Sequence, residues 1–128
     1  TGDDAGALLM GEVVQRDTNW HLAQVAFAGG ALWVRDSGLQ LGQQVRLRVL
    51  ARDVSVTLEQ ATQTTIQNHL PCMIEAITPD VHPSQVLLRL RCADTVVLSR
   101  ITARGAHDLQ LRVGMPAWAQ VKSVALVK

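Results

Sequence analysis

Short runs in which apolar and polar residues alternate occupy most of this sequence, and turn-forming residues separate them. Residues 85–92 are the clearest case, with Leu88, Leu90 and Cys92 on one face. Arg89 and Arg91 fall on the other face. A period of two residues is that of a half-buried β-strand, because successive side chains point to opposite faces of a sheet. The sequence therefore predicts an all-β chain.

Turn signals divide this pattern into short strands. Gly29-Gly30 is a two-residue hairpin signal. Residues 59–68 lack apolar periodicity and are predicted to be a connection. Thr102 is suited to cap one or two helical turns over residues 103–108. The predicted strands are residues 8–17, 21–28, 31–35, 45–49, 53–58, 72–78, 85–92, 95–100 and 117–127.

The two halves of the chain repeat one order of strands and turns. In the first half, the Gly29-Gly30 turn is followed by Gly42 and an alternating strand; Ala93-Asp94 and Gly114 hold these places in the second. Five short strands with one brief helix are typical of a small barrel of the oligonucleotide/oligosaccharide-binding (OB) type. We predict two OB-like β-barrel modules in tandem, residues 1–60 and 61–128, the second with the helix. Modules this small are marginal alone, so we expect them to pack on each other or on a partner.

Charge and composition disfavour two classes of partner. The net charge is +1, from 12 basic and 11 acidic residues, and aromatic residues make up only 3% of the chain. A nucleic-acid-binding barrel needs a basic groove with aromatic stacking platforms, so we expect no nucleic acid partner. No apolar run approaches the roughly 18 residues that span a bilayer, so we expect no direct membrane insertion. A signal-peptide pattern is also absent from the sequence.

Catalytic and metal-binding motifs are missing from the sequence, so we predict that this segment is not an enzyme and holds no metal site. Cys72 and Cys92 lie in apolar runs and are predicted to be reduced, partly buried core residues. A disulfide or a thiol function is the less favoured alternative. The chain starts at Thr1 without a Met and leads straight into a strand. We therefore expect a piece of a longer protein whose remaining part lies on the N-terminal side.

Hydroxyl and amide side chains cluster just before the predicted strand that starts at Cys72. Thr64, Thr65, Gln67 and Asn68 precede it, and Lys122-Ser123 interrupts the apolar final strand. Tetrahedral oxyanions are bound by backbone N–H groups, hydroxyls and amides, with a cation to offset their charge. The same residues fit a solvated linker, an edge-strand lysine and a helix cap equally well. Composition alone leaves both interpretations open.

Several short segments together resemble a molybdate-binding (Mop, or molbindin) domain over about residues 62–128. They are Thr64-Thr65-Ile66-Gln67-Asn68, Arg100-Ile101-Thr102, Leu109-x-Leu111-x-x-Gly114 and Ala119-Gln120-Val121-Lys122-Ser123-Val124. Residues 52–56 (Arg-Asp-Val-Ser-Val), with the strands before them, resemble the TOBE-type region joining such a domain to the ATPase domain of molybdate ABC importers. The order of these parts is that of the C-terminal regulatory region of the ATP-binding subunit.

The resemblance implies barrels that form homodimers or larger oligomers and bind molybdate or tungstate between subunits. Gln67 departs from the family, which commonly has Arg there, and a neutral amide lacks the charge-assisted hydrogen bond that a dianion favours. The oxyanion-binding residues that the resemblance implies are Thr65, Gln67, Asn68, Thr102, Lys122 and Ser123.

The resemblance also implies a regulatory function without a tightly bound cofactor. Molybdenum would enter only as molybdate, and ATP and Mg²⁺ would bind a separate N-terminal domain. The protein would lie in the cytoplasm at the inner face of the cell membrane, against the transporter's membrane subunits. Ligand bound only to one arrangement of two subunits shifts the population toward it. The alternatives are an interaction domain with a degenerate site, or a regulatory domain of an importer for another oxyanion or a sugar.

Overall fold

Alternating apolar residues form ten β-strands within residues 5–127, the part of the chain that the computed structural model describes. The other elements of residues 5–127 are one α-helix and one 3-10 turn, Ala51–Asp53. Residues 1–4, which carry the predicted start without a Met, and residue 128 lie outside the described residues. The elements are β1 (Gly6–Asp17), β2 (Leu22–Phe27), β3 (Gly30–Arg35), β4 (Gln44–Leu50), β5 (Val54–Thr57), β6 (Asn68–Pro79), β7 (Gln85–Cys92), β8 (Thr95–Thr102), α1 (Ala103–Asp108), β9 (Pro116–Val121) and β10 (Ala125–Val127).

The strands form two five-stranded antiparallel sheets. The first sheet has the order β10-β4-β1-β2-β3, and the second has the order β5-β9-β6-β7-β8. The all-β prediction is confirmed, and so is the short helix at residues 103–108. Thr102 caps that helix, because its Oγ1 accepts a hydrogen bond from the Gly105 N–H at 3.0 Å.

Each half of the chain contributes a strand to the other half's sheet. Strand β5 pairs with β9 in the second sheet, and β10 pairs with β4 in the first. The domain boundary that we place between residues 60 and 61 stays a prediction, but the sheets do not divide there. This exchange links the two halves of the chain through backbone hydrogen bonds as well as through side-chain packing.

Most predicted strand bounds shift by one or two residues, and two predicted strands differ more from the structure. The continuous strand predicted over residues 117–127 is wrong, because β9 ends at Val121 and β10 starts only at Ala125. Between them, the Lys122 N–H donates to the Asp53 carbonyl oxygen at 2.8 Å, where the chain leaves the second sheet. Strand β6 begins at Asn68, earlier than predicted, because the polar residues before Cys72 pair with β9.

A single cluster of aliphatic side chains fills the space between the sheets. Leu47 of β4 and Leu88 of β7 are both fully buried members of it. Cys92 is also buried, and Cys72 is partly buried against the cluster; both are free thiols, as predicted. Arg46 and Arg48 alternate with the buried residues of β4 and are exposed, as predicted.

The turn at residues 36–38 is held by one carboxylate. Asp36 accepts hydrogen bonds from the N–H groups of Leu39 and Gly38, at 2.9 and 3.0 Å, and from Arg16 Nε at 2.7 Å. The Leu39 N–H, followed by Arg16 and the Gly38 N–H, lowers the pKa of Asp36 from 3.8 to about 2. The ionised form of Asp36 therefore fixes the connection between β3 and β4.

Because one core serves both sheets, we expect the described fold to unfold in one transition. Leu47→Ala and Leu88→Ala should each lower the free energy of unfolding by about 2–5 kcal/mol, the usual cost of a cavity at a buried leucine. Urea denaturation followed by circular dichroism measures both. Leu8→Ala is the control, because Leu8 is 61% exposed. Two separate transitions, each shifted by only one of the substitutions, would contradict a shared core.

The lowered pKa of Asp36 predicts a pH-dependent contribution to stability. Since the pKa in the folded state lies below the ordinary value of 3.8, this contribution is present above pH 3.8. It is lost as the pH falls from 3.8 to about 2. The difference in unfolding free energy between wild type and Asp36→Asn should shrink over this range. A difference that stays constant over the same pH range would show that the carboxylate charge is unimportant.

Candidate functional site

Two segments that carry predicted oxyanion-binding residues flank the same end of the second sheet. Strand β6 begins where β9 ends, since Asn68 pairs with Val121. Continuing this antiparallel register places Gln67 opposite Lys122, just outside the paired strands. Thr65 and Ser123 lie in the irregular segments on either side. The pairing of two strands distant in sequence therefore brings the two polar segments together.

Lys122 is the cation of this cluster. Its backbone is fixed by the hydrogen bond to the Asp53 carbonyl oxygen, while its side chain is exposed. No carboxylate of residues 5–127 lies within ion-pair distance of its ammonium group. The neighbouring Ser123 is also exposed. An ammonium group and a hydroxyl thus face solvent from adjacent positions on an anchored backbone.

The surroundings of Gln67 are unfavourable for an anion on one side. Gln67 lines an open hollow of about 520 Å³ together with Trp20, Trp33, Leu22 and Asp17. The Asp17 carboxylate and the indole faces both repel negative charge. The hollow beside Gln67 therefore disfavours an anion.

Thr65 is exposed. The segment that carries it is shaped by its neighbour, since Thr64 Oγ1 accepts a hydrogen bond from the Ile66 N–H at 3.1 Å. Thr65 and Gln67 form no side-chain hydrogen bonds among the described residues. Their hydroxyl and amide groups are therefore available to a ligand.

Asn68 has a structural role that we did not predict from the sequence. Its Oδ1 accepts from the Trp33 N–H at 2.8 Å, and its Nδ2 donates to the Trp33 carbonyl oxygen at 2.9 Å. Trp33 lies in β3, an edge strand of the first sheet, so this amide joins the two sheets as a strand residue would. One N–H of Nδ2 is left for a ligand.

The sixth predicted residue, Thr102, lies elsewhere. It pairs with Gln85 at the end of β8, and the neighbouring pair in the next ladder is Val86 with Pro79. Pro79 ends β6, whereas Asn68 begins it. Along the strands, Thr102 thus lies at the end of the β6–β7–β8 ladder away from Asn68. The Thr102 Oγ1 is bonded to the Gly105 N–H and to none of the other five residues.

The described part of the chain contains neither a metal-binding cluster nor a membrane-spanning helix. No group of three or more His, Cys, Asp or Glu side chains in residues 5–127 is arranged to hold a metal ion. Within the same residues, no helix is long and apolar enough to cross a membrane.

A TOBE-domain family profile matches residues 64–127, half of the chain. The chain belongs to the TOBE-domain family. The match falls on the second module, where we expect the Mop-like region; the TOBE-type assignment of residues 1–60 stays a prediction. The predicted resemblance to a domain of the TOBE type is confirmed.

The curated relatives are longer proteins. The molybdenum import ATP-binding protein ModC of Thiobacillus denitrificans is 47% identical over 126 residues, which cover 98% of this chain and 35% of ModC. ModC of Methylococcus capsulatus is 44% identical over 127 residues, covering 99% of this chain and 36% of the relative. This chain therefore spans about a third of the length of these relatives. The ATPase domain of such proteins lies outside this chain.

A solved structure shares the fold. The cytoplasmic molybdate-binding protein ModG, crystallised with molybdate bound, superposes with a TM-score of 0.74 at 20% identity. The alignment covers 98% of both chains. The prediction of tandem OB-like modules is thus confirmed at the level of fold.

The bond between Asn68 and Trp33 predicts a stability effect that an exposed ligand residue would not show. Asn68→Ala removes both hydrogen bonds and should lower the free energy of unfolding by about 1–3 kcal/mol. Gln67→Ala is the matched control, because Gln67 is the exposed amide next to it, and its effect should stay within about 0.5 kcal/mol. Urea denaturation measures both, and equal effects would contradict the sheet-joining role.

Proposed function

We propose that this chain is the regulatory and dimerising region of the ATP-binding subunit of a molybdate importer, and that it binds molybdate or tungstate. The observation that carries the proposal is the exposed Lys122 side chain, which follows the end of β9 beside the start of β6 and has no carboxylate partner among residues 5–127. Relatives 47% and 44% identical, both named molybdenum import ATP-binding proteins, support the choice of ligand. The fold shared with a molybdate-binding protein supports it further.

The donors of the proposed site suit a tetrahedral dianion. The Lys122 ammonium offsets part of its charge, and charge-assisted hydrogen bonds are about twice as strong as neutral ones. The hydroxyls of Thr65 and Ser123 and the Gln67 amide supply neutral donors that impose no further charge. The remaining N–H of Asn68 adds one more, so that the proposed ligand touches the residue that joins the sheets.

A second copy of the chain completes the proposed site. The cluster around Lys122 is exposed and covers a bound anion from one side only. Thr102, the remaining proposed donor, lies at a different end of the ladder, so its hydroxyl would come from the partner in a homodimer. Enclosure between two chains removes water from the anion and strengthens each hydrogen bond.

The proposed regulation follows from this arrangement. An anion held only between two associated chains shifts the population toward that association. In a whole importer subunit this would favour one arrangement of two ATPase domains at the cytoplasmic face of the membrane, next to the transporter's membrane subunits. ATP and Mg²⁺ would bind those domains and not the residues described above.

One observation favours a second candidate, an interaction domain without a ligand. Gln67 is neutral, and the hollow beside it contains the Asp17 carboxylate. If the remaining cation is too weak to hold a dianion, the same surfaces still associate. A site for another oxyanion or a sugar remains the third alternative, and titration with several ligands separates the three.

Lys122→Ala should weaken molybdate binding about tenfold to a hundredfold, because a hydrogen bond to a charged group contributes about 1.5–3 kcal/mol. Isothermal titration calorimetry with molybdate measures this. Arg112→Ala is the matched control: it removes the same charge from an exposed residue before the start of β9, whereas Lys122 follows its end. The molybdate affinity of Arg112→Ala should equal that of wild type.

The same titration is repeated with tungstate, sulfate and a neutral sugar, at protein concentrations where ultracentrifugation shows the dimer. Binding of molybdate and tungstate but not sulfate supports the proposal. A heat of binding seen only with sulfate, or only with the sugar, would indicate the regulatory domain of an importer for that other ligand. No heat with any ligand would contradict the oxyanion site and leave the interaction domain.

A further inference from the structure

Cys72 and Cys92 lie opposite each other on neighbouring strands. In the antiparallel ladder of β6 and β7, Met73 pairs with Arg91 and Ile74 with Leu90. The next position in this register places Cys72 opposite Cys92, with both side chains on the core-facing side. Directly opposed residues have Cα atoms about 4.5–5.5 Å apart. A disulfide needs about 4.4–6.8 Å, so this position satisfies its main geometric requirement.

The two thiols differ in their access to solvent. Cys92 is fully buried, whereas Cys72 is partly exposed and its Sγ lies 3.4 Å from the Ala117 carbonyl oxygen. Both are free thiols. Cys72 is therefore the more accessible thiol for a small reagent, whereas Cys92 is buried in the core.

We propose that Cys72 and Cys92 form a redox-active thiol pair, which a low-molecular-weight disulfide converts into a cross-strand disulfide. The inference is independent of the proposed oxyanion site. Cys72 would be the attacking thiol because it is the accessible one. Cys92 would be the resolving thiol because it faces Cys72 across the ladder.

The reaction takes place in two exchange steps. The Cys72 thiolate attacks one sulfur of the small disulfide, forms a mixed disulfide and releases one small thiolate. The small thiolate released in the first step takes the proton of Cys92, and Cys92 attacks the Cys72 sulfur, which forms the Cys72–Cys92 bond and releases the second small thiolate. Two protein thiols are oxidised, and one small disulfide is reduced to two thiols.

The different surroundings of the two thiols support this order of events. Donation from the Cys92 thiol lowers the pKa of Cys72, so Cys72 is the first to ionise. The pKa of Cys92 is raised, first by this hydrogen bond and then by burial. Once Cys72 carries the mixed disulfide, it no longer holds a negative charge, and the main cause of the raised pKa disappears.

The disulfide would form next to the contact between the two halves. A Cβ added at Gly29, in the turn between β2 and β3, would lie 2.6 Å from the Cys92 carbonyl oxygen. The backbone of Cys92 thus abuts the first sheet's hairpin. A disulfide from Cys92 to Cys72 of β6 would restrict the motion of the Cys92 backbone at its contact with Gly29.

The test uses the 128-residue chain with oxidised glutathione, followed by alkylation with N-ethylmaleimide and intact mass measurement. Wild type should lose the mass of two hydrogen atoms and take up no maleimide. At a fixed ratio of reduced to oxidised glutathione, the disulfide equilibrium constant should be at least about tenfold larger in the folded chain than in urea. Reduction should restore two alkylated thiols.

Two variants separate the roles of the cysteines. Cys92→Ala should stop at a single glutathione adduct on Cys72, and Cys72→Ala should take up none while folded. The wild-type measurement stands even if a variant fails to fold. A wild-type chain that stops at the glutathione adduct, forms disulfide-linked dimers, or oxidises no more readily than in urea would overturn the proposal.

Discussion

The two short strands that cross between the sheets are the constraint on which the rest of the structure depends. Strand β5 leaves the first half of the sequence to pair with β9, and β10 leaves the second half to pair with β4. Backbone hydrogen bonds therefore hold each half to the other. Two barrels of this size would each bury little apolar surface alone, and the exchange lets them share one core.

The candidate site lies where this crossing takes place. The chain leaves β9 at Lys122, fixed by its bond to the Asp53 carbonyl oxygen, and Ser123 follows before β10 begins. On the adjacent strand, Asn68 bonds to the edge of the first sheet through both polar groups of its amide. The polar residues that we assign to ligand binding therefore lie beside the elements that join the sheets. A ligand here would contact the junction itself.

The sequence predicted the strands well and their partners poorly, for a physical reason. Alternation reports which face of a strand is buried, so the positions of β7 and β8 and the cap at Thr102 could be read directly. Pairing between distant strands depends on the whole fold. The apolar run over residues 117–127 therefore looked continuous, although it divides between two sheets. The opposition of Cys72 and Cys92 depends on register, which alternation does not specify.

The arrangement of the candidate site was equally hard to predict, because it too depends on the pairing of distant strands. Thr65, Gln67 and Lys122 could be selected as donors from their chemistry, and the family resemblance grouped them, but their meeting depends on the β6–β9 pairing. The β7–β8 pairing places Thr102 at the other end of the ladder, away from these donors of the same chain. If one anion is to meet all six residues, two chains must contribute to one site. A dianion then meets one Lys122 from the first chain and a neutral hydroxyl from the second. We expect this incomplete charge compensation to favour a reversible sensor over a tight store, since the anion must leave when its concentration falls.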